Sequence, residues 1–542
     1  MAFKNFASTL KDYPLAHVPT WVLIIGTVVF WLELYIVRLL HGHTSWLAWV
    51  LLSGVVFCMV YLQRQKIAGS LTSLDYLWRM QGWVGRSVIT IAAILGAVYL
   101  AIGFYASVLP PHLSQEHDAL TYHITLARQH LIRHSFAHIP WSTPDFFLLP
   151  LDYALSPFWL STLWPNKIIQ FWFFIGSLGC VFHLTRILSG ENMLRAWTAV
   201  AAVMASHAIA IQVGTAMLDL VMMYCFFAFL HSLFMGRWVL AAIEFGFFAW
   251  SKAFIAPQMV MISLILGVII FLACKRGFSI CEIPVFNTHQ WKTGGSVFLI
   301  SSVLIAAPYL VKSFYYTGTP LYPFGVGVLS PLAEHQPDYW QAILQRAQDC
   351  LAEKDKYGHG RSVSAFVKHW WLIAVPEKGV NNAFDYPVGM VYLLVLAPFM
   401  WHVVVTLKSK RLPVISAVIL VWWLTWWFGS QQSRFLLVPI CMMVVIAVAS
   451  MPKLNRVFMM AVMMTLGLEV ISLVNAHRAD WGKPYFDVLR GKDKKLVLLN
   501  PESAGTLDVD FPDVAFASLP VNVNNDNSVY VIAHWSRQRG IK

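Results

Sequence analysis

The sequence predicts an all-α polytopic membrane protein, and three observations carry that prediction. Apolar runs of roughly 17 to 25 residues recur from Val22 to Val474, each long enough to cross a hydrocarbon core of about 30 Å as a helix. The 542 residues are 58% hydrophobic, 15% aromatic and 12% charged, which leaves too little polar surface to clothe a soluble globule of this size. The basic residues collect in alternate short connections rather than in one stripe, so the formal charge of +12 records membrane topology and not a nucleic-acid surface.

Taken in order, the spans fall near 20–39, 45–62, 87–109, 167–187, 196–213, 217–235, 238–255, 257–273, 296–313, 386–406, 412–428, 435–451 and 455–474, about thirteen in all. The first lacks a small-residue cleavage pattern and reads as a retained span. With the N-terminus inside, the cytoplasmic connections carry Arg64, Lys66, Arg79 and Arg86, then Arg186 and Arg195, then Arg237, Lys275, Arg276 and Lys292, then Lys408, Lys410 and Arg411, and last Lys453 and Arg456. Every inner connection is basic, as the positive-inside rule requires. The large outer segments are then 110–166, 314–385 and 475–542.

These outer segments have content of their own. From Asp118 the chain reads DALTYHITLARQHLIRHS, with Leu120, Ile124, Ala127 and Leu131 on one face at helical spacing, an amphipathic helix suited to the membrane surface. A second outer helix is expected around Tyr339–Lys354. The tail carries short β-like runs, Leu496–Leu499 and Val529–Ile532, between turn-forming residues. The chain therefore divides into an N-terminal pair of spans with a cytoplasmic loop (1–86), a transmembrane core with two outer loops (87–474), and a small outer α/β-like segment (475–542). Seven cysteines show neither a disulfide framework nor zinc-ligand spacing.

Ionisable residues at span ends are costly in a bilayer and default to function. Five fall on the outer side: Asp118, Asp219, Lys252, Lys312 and Arg434. Several of them also have plainer explanations. Asp118 can cap its helix, Lys252 can snorkel to headgroups, and Asp219 can form an ion pair between spans. His123, taken alone, reads as a surface histidine. Glu244 and Glu469 are intramembrane acids that a hydrogen bond inside the bundle would explain.

Five local patterns give these residues a context: HDALTYH at 117–123, AMLDLVMMY at 216–224, FFAWSKAF at 247–254, TGTPLYPF at 317–324 and SQQSRFLLVP at 430–439. In kind and order the patterns resemble those of the bacterial GT-C superfamily of polyprenyl-phosphate-sugar glycosyltransferases, in the branch of protein mannosyltransferases and lipid A aminoarabinose transferases. The resemblance covers roughly residues 100–450. It departs from the family at Thr319, where Asn is expected, and in the two spans ahead of the core.

The resemblance implies transfer of a sugar from a polyprenyl-phosphate donor to a lipid, glycan or protein acceptor on the periplasmic face of the plasma membrane. Asp118 is the expected general base, and a single displacement would invert the anomeric centre. Arg434 and Lys252 are the candidates for the departing phosphate, and Tyr322, between Pro320 and Pro323, for contact with phosphate or sugar. Tyr122, His123, Asp219 and Lys312 are the further substrate-site candidates. No metal ligand is assigned; should a divalent metal be required, Asp118 and Glu116 are the first candidates. A polysaccharide polymerase or ligase would share much of this chemistry, and a secondary transporter would place its charges nearer the bilayer midplane, in repeated halves.

Overall fold

The computed structural model describes residues 15–35, 47–61, 63, 83–108, 118, 119, 123, 126, 127, 130, 131, 135–138, 150–159, 167–252, 254–283, 288–326, 337–375, 384–454 and 456–480. Glu116, Leu120, Tyr122, Ile124 and the β-like runs of the tail lie outside the described residues. The protein is mostly helical. A 3-10 turn, Leu15–His17, leads into α1 (Val18–Tyr35). The chain continues through α2 (Leu47–Tyr61), α3 (Trp83–Val108), α4 (Pro150–Trp159), α5 (Ile168–Leu188), α6 (Met193–Met204), α7 (Asp219–Phe234), α8 (Trp238–Ala249), α9 (Ile255–Lys275) and α10 (Thr288–Thr317). It ends with α11 (Pro337–Ala352), α12 (Val363–Leu372), α13 (Val391–Lys408), α14 (Val414–Phe428), α15 (Leu437–Ser450) and α16 (Arg456–Asp480).

Among the described residues, eight helices are long and apolar enough to cross a membrane. Their outer faces are apolar too. On α9, Val260, Leu264, Val268 and Phe271 are all more than half exposed and recur at helical spacing, where a water-facing helix would carry polar residues. The centre of the bundle is α15, buried along almost its whole length. These features make the chain a multi-pass membrane protein.

A helix stands at each of the thirteen expected places, but five are shorter apolar helices: Leu47–Tyr61, Met193–Met204, Asp219–Phe234, Trp238–Ala249 and Val414–Phe428. The departures have local causes. The expected span 196–213 breaks after Met204, where Ser206 turns away to bond the Val388 carbonyl and a separate turn, His207–Ala210, follows. The expected span 238–255 stops at Ala249, so that Lys252 lies in the turn between α8 and α9 rather than on a helix. Helix α13 starts at Val391 rather than 386, because Pro387 and Gly389, the latter at φ +103°, hold the chain out of helical geometry.

Two contacts fix what matters for the site. Every residue of α4 is buried, and this short helix packs against α1 so closely that a Cβ at Gly26 would stand 1.7 Å from the Ala154 carbonyl oxygen. The loop before α13 is tied to the turn before α15: Ser433 N–H donates to the Phe384 carbonyl at 2.8 Å and its hydroxyl to the Tyr386 carbonyl at 2.5 Å. At the far end of the bundle, β1 (Ser279–Cys281) and β2 (Arg411–Pro413) pair in parallel, Ser279 opposite Arg411. Glu282 there accepts from His402, at 2.6 Å, and from the Ser416 amide, at 2.8 Å.

Candidate functional site

Four of the five charged residues expected on one face meet at one end of the bundle. Arg434 sits in a 3-10 turn, Ser433–Leu436, just ahead of α15. Its Nη1 donates to Asp118 Oδ2 at 2.8 Å and its Nε to Gln432 Oε1 at 3.1 Å, with Asp385 Oδ2 3.4 Å from Nε. Asp219 opens α7, where its negative charge suits the helix N-terminus. Lys252, from the turn after α8, donates to Asp219 Oδ1 at 2.5 Å. The Phe435 ring joins the two pairs, with Lys252 Nζ 5.0 Å and the Arg434 guanidinium carbon 5.4 Å from its centroid. Both cations thus lie near one aromatic ring, each facing a carboxylate.

Electrostatics follow from this crowding. Burial alone would push the Asp118 carboxyl up, but the Arg434 guanidinium, with smaller help from His123 and Lys252, draws it down to about 2. Asp385 moves the opposite way: burial pushes it up, and Arg434 offsets only part of that. The two acids on one guanidinium are therefore unequal, Asp118 the firmly ionised one.

His123 corrects an expectation. Alone it read as a surface histidine, yet its side chain is buried and its Nδ1 lies 2.7 Å from Asp152 Oδ1 on α4. Asp152 is fully buried, and burial pushes its carboxyl up against the opposing pull of His123. The described residues of the Asp118 segment are likewise packed in rather than laid on a surface: Leu126, Ala127 and Leu131 join an apolar cluster with Phe30, Tyr153 and Tyr309.

Lys312 lies in an adjoining region rather than at Arg434. Its Nζ is 3.0 Å from His130 Nε2 and 4.5 Å from the Phe136 centroid. It is the charged group of a cavity of about 760 Å³ otherwise lined by aromatic and apolar side chains, among them Trp31, Tyr35, Phe136, Tyr315 and Tyr316. Tyr322 is fully buried, in an apolar cluster with Trp340, Ile343 and Ala347 of α11. Tyr122 lies outside the described residues.

Sequence reasoning missed Asp152, Asp385 and Gln432. For Asp385 there was a signal, an aspartate immediately before Tyr-Pro at the end of the second large outer segment. The structure adds that its backbone is left-handed, φ +80°, a strained conformation that clusters at functional sites. Glu244 and Glu469 take the bundle-internal bonds expected of them, Glu244 from Thr20 and Ser232 and Glu469 with His207. Among the described residues, Asp118 belongs to no trio of His, Cys, Asp or Glu whose ligand atoms converge within 4.8 Å of one another. The cation at Asp118 is Arg434. Comparison with protein families, with characterised proteins and with solved structures finds no match for this chain.

Proposed function

We propose that the protein is a membrane glycosyltransferase that moves a sugar from a polyprenyl-phosphate donor to a lipid, glycan or protein acceptor. In this reading thirteen helices cross the plasma membrane, the N-terminus is cytoplasmic, and the end of the bundle bearing Asp118, Asp219, Lys252 and Arg434 faces the periplasm. What supports it most is the meeting of Asp118 with Arg434, residues 316 positions apart that are the candidate base and the candidate phosphate clamp. The resemblance of the five local patterns to GT-C enzymes supports the same assignment.

The chemistry asks for three things. An acceptor hydroxyl must be deprotonated as its oxygen bonds the anomeric carbon, the bond from that carbon to the phosphate oxygen must break, and the departing charge must be stabilised. Asp118 takes the proton. Arg434 and Lys252 receive the phosphate, whose oxygen keeps the electron pair of the broken bond. The pairing in the donor-free protein then has a use. A phosphate arriving at Arg434 competes for the guanidinium that Asp118 holds, and a carboxylate released from that pair regains basicity in a partly desolvated site. Donor binding and activation of the base become one event. His123 and Asp152 brace the Asp118 segment from α4, and the aromatic cavity beside Lys312 is suited to the lipid part of a substrate.

The experiment is donor turnover by purified protein, with a panel of polyprenyl-phosphate sugars and a membrane extract as acceptor source. Wild type should release polyprenyl phosphate, and Asp118→Asn should lose at least about a hundredfold in rate, as a missing general base predicts. Equal turnover without Asp118 removes it as the base. Turnover of no donor by wild type rejects the transferase assignment in favour of a transporter or scaffold.

A further inference from the structure

The mechanism above leaves a second buried polar cluster unused. It lies twelve residues along α7 from Asp219, about 18 Å away at 1.5 Å per residue. Here His17 from the turn before α1, Cys180 from α5 and His231 from α7 bring one nitrogen or sulfur each to within 4.8 Å of one another, all three side chains buried. His17 Nε2 and His231 Nδ1 are 2.7 Å apart. The two rings are within 18° of coplanar with centroids 5.0 Å apart, the spacing of an end-on contact, so the two nitrogens point straight at each other.

A carboxylate stands behind the first of these rings. His17 Nδ1 lies 2.8 Å from Glu244 Oε1. That carboxylate also accepts from the Thr20 and Ser232 hydroxyls, at 2.7 Å each. The His17 tautomer that donates from Nδ1 to this carboxylate turns the Nε2 lone pair toward His231. A carboxylate behind a histidine is the arrangement that orients imidazole ligands in metal sites. His183 stacks on His231, with centroids 5.2 Å apart. It also lines a cavity of about 720 Å³ that reaches His231, together with Gly176, Arg186, Glu191 and Arg237. Of the three ligands, His231 is the one that this cavity reaches.

We propose that His17, Cys180 and His231 form a binding site for one borderline divalent ion, Zn²⁺ by its ligand chemistry, which fastens the start of α1 to α5 and α7. Two imidazoles and one thiolate are a zinc donor set, with the fourth position left to a water from the cavity. Binding is balanced by release of the Cys180 thiol proton to solvent and transfer of the His231 proton from Nδ1 to Nε2. Bonds of about 2.0 Å to nitrogen and about 2.3 Å to sulfur in a tetrahedron set the nitrogens about 3.3 Å apart. To reach it the nitrogens part, giving up their direct hydrogen bond, and each ring swings by roughly 35° toward the sulfur.

The test is a Co²⁺ titration of the full chain, purified in detergent and stripped with chelator, followed by displacement with Zn²⁺. The expected result is one equivalent bound, with a thiolate-to-cobalt charge-transfer band and the visible bands of tetrahedral cobalt, and a higher thermal midpoint with Zn²⁺ than with chelator. Cys180→Ser should abolish the charge-transfer band, His231→Gln the tetrahedral bands, and Glu244→Gln should weaken binding about 10- to 100-fold. A wild-type protein that shows no thiolate band overturns the proposal without recourse to any variant. A band that survives Cys180→Ser overturns it as well, because the ion is then held by another cysteine.

Discussion

Replacing Arg434 by Gln should change the stability of the protein by an amount that depends on pH. In the wild type the Asp118 carboxyl is drawn from an ordinary 3.8 to about 2, which favours the carboxylate in the folded state by about 2 kcal/mol. Asp118 is about one-quarter exposed and Arg434 less, so solvent screens only part of the interaction. A folded value below the unfolded one stabilises the fold above pH 4, and that contribution is lost as pH falls toward 2. Without the guanidinium the sign reverses. Burial, the largest influence on Asp118, then pushes its carboxyl up against only the smaller pull of His123 and Lys252, and an ionised Asp118 destabilises the fold at neutral pH until protonation relieves it. Asp385, on the same guanidinium, shifts in the same direction. Thermal unfolding in detergent from pH 3 to pH 8 should show Arg434→Gln less stable at pH 7 by at least about 2 kcal/mol. The deficit should shrink steadily below pH 5. Adding Asp118→Asn to Arg434→Gln should recover most of the loss at pH 7, because no unpaired carboxylate is left at that position. A deficit that is the same at every pH, or one that Asp118→Asn does not repair, refutes the electrostatic account and assigns Arg434 a packing role.

Three further outcomes follow from the geometry. Lys252→Met leaves the fully buried Asp219 without its cation and should cost about 3–5 kcal/mol, whereas Lys252→Met with Asp219→Asn should be far milder; a double-variant cycle of unfolding midpoints measures the difference. Gly26→Val would drive a side chain into the Ala154 carbonyl, 1.7 Å from its first carbon, and should abolish monodisperse protein on size-exclusion chromatography, while Gly267→Ala, with open space around it, should not. In intact spheroplasts a membrane-impermeant maleimide should label Cys350, part-exposed on α11, and spare the exposed Cys274 at the end of α9 until the membrane is opened; the reverse pattern would turn the proposed topology over.

Much of this architecture is local in origin and so was legible in the chain. A bilayer requires a run of apolar residues of sufficient length, and a helix forms wherever such a run occurs, from Val18–Tyr35 to Arg456–Asp480. Charges at the ends of those runs were visible for the same reason, because an ionisable side chain stands out against apolar neighbours. That is how Asp118, Asp219, Lys252, Lys312 and Arg434 were found. Asp152 and Asp385 were not, since an aspartate in a proline-rich loop looks like any cap or turn residue.

Tertiary structure alone decided which charges meet. Nothing in their spacing pairs Asp118 with Arg434, or Lys252 with Asp219 rather than Asp118, and nothing makes His123 a buried partner of Asp152. Nor does it separate Tyr322, whose ring the packing of α11 withdraws into an apolar cluster. The convergence of His17, Cys180 and His231 is equally silent in the sequence, where metal ligands announce themselves only when close together. Apolar length is a property of each segment and is written where the segment is. Pairing is set by how helices distant along the chain pack in the folded bundle, because an ion pair or hydrogen bond acts across a few ångströms of space, whatever the distance along the chain.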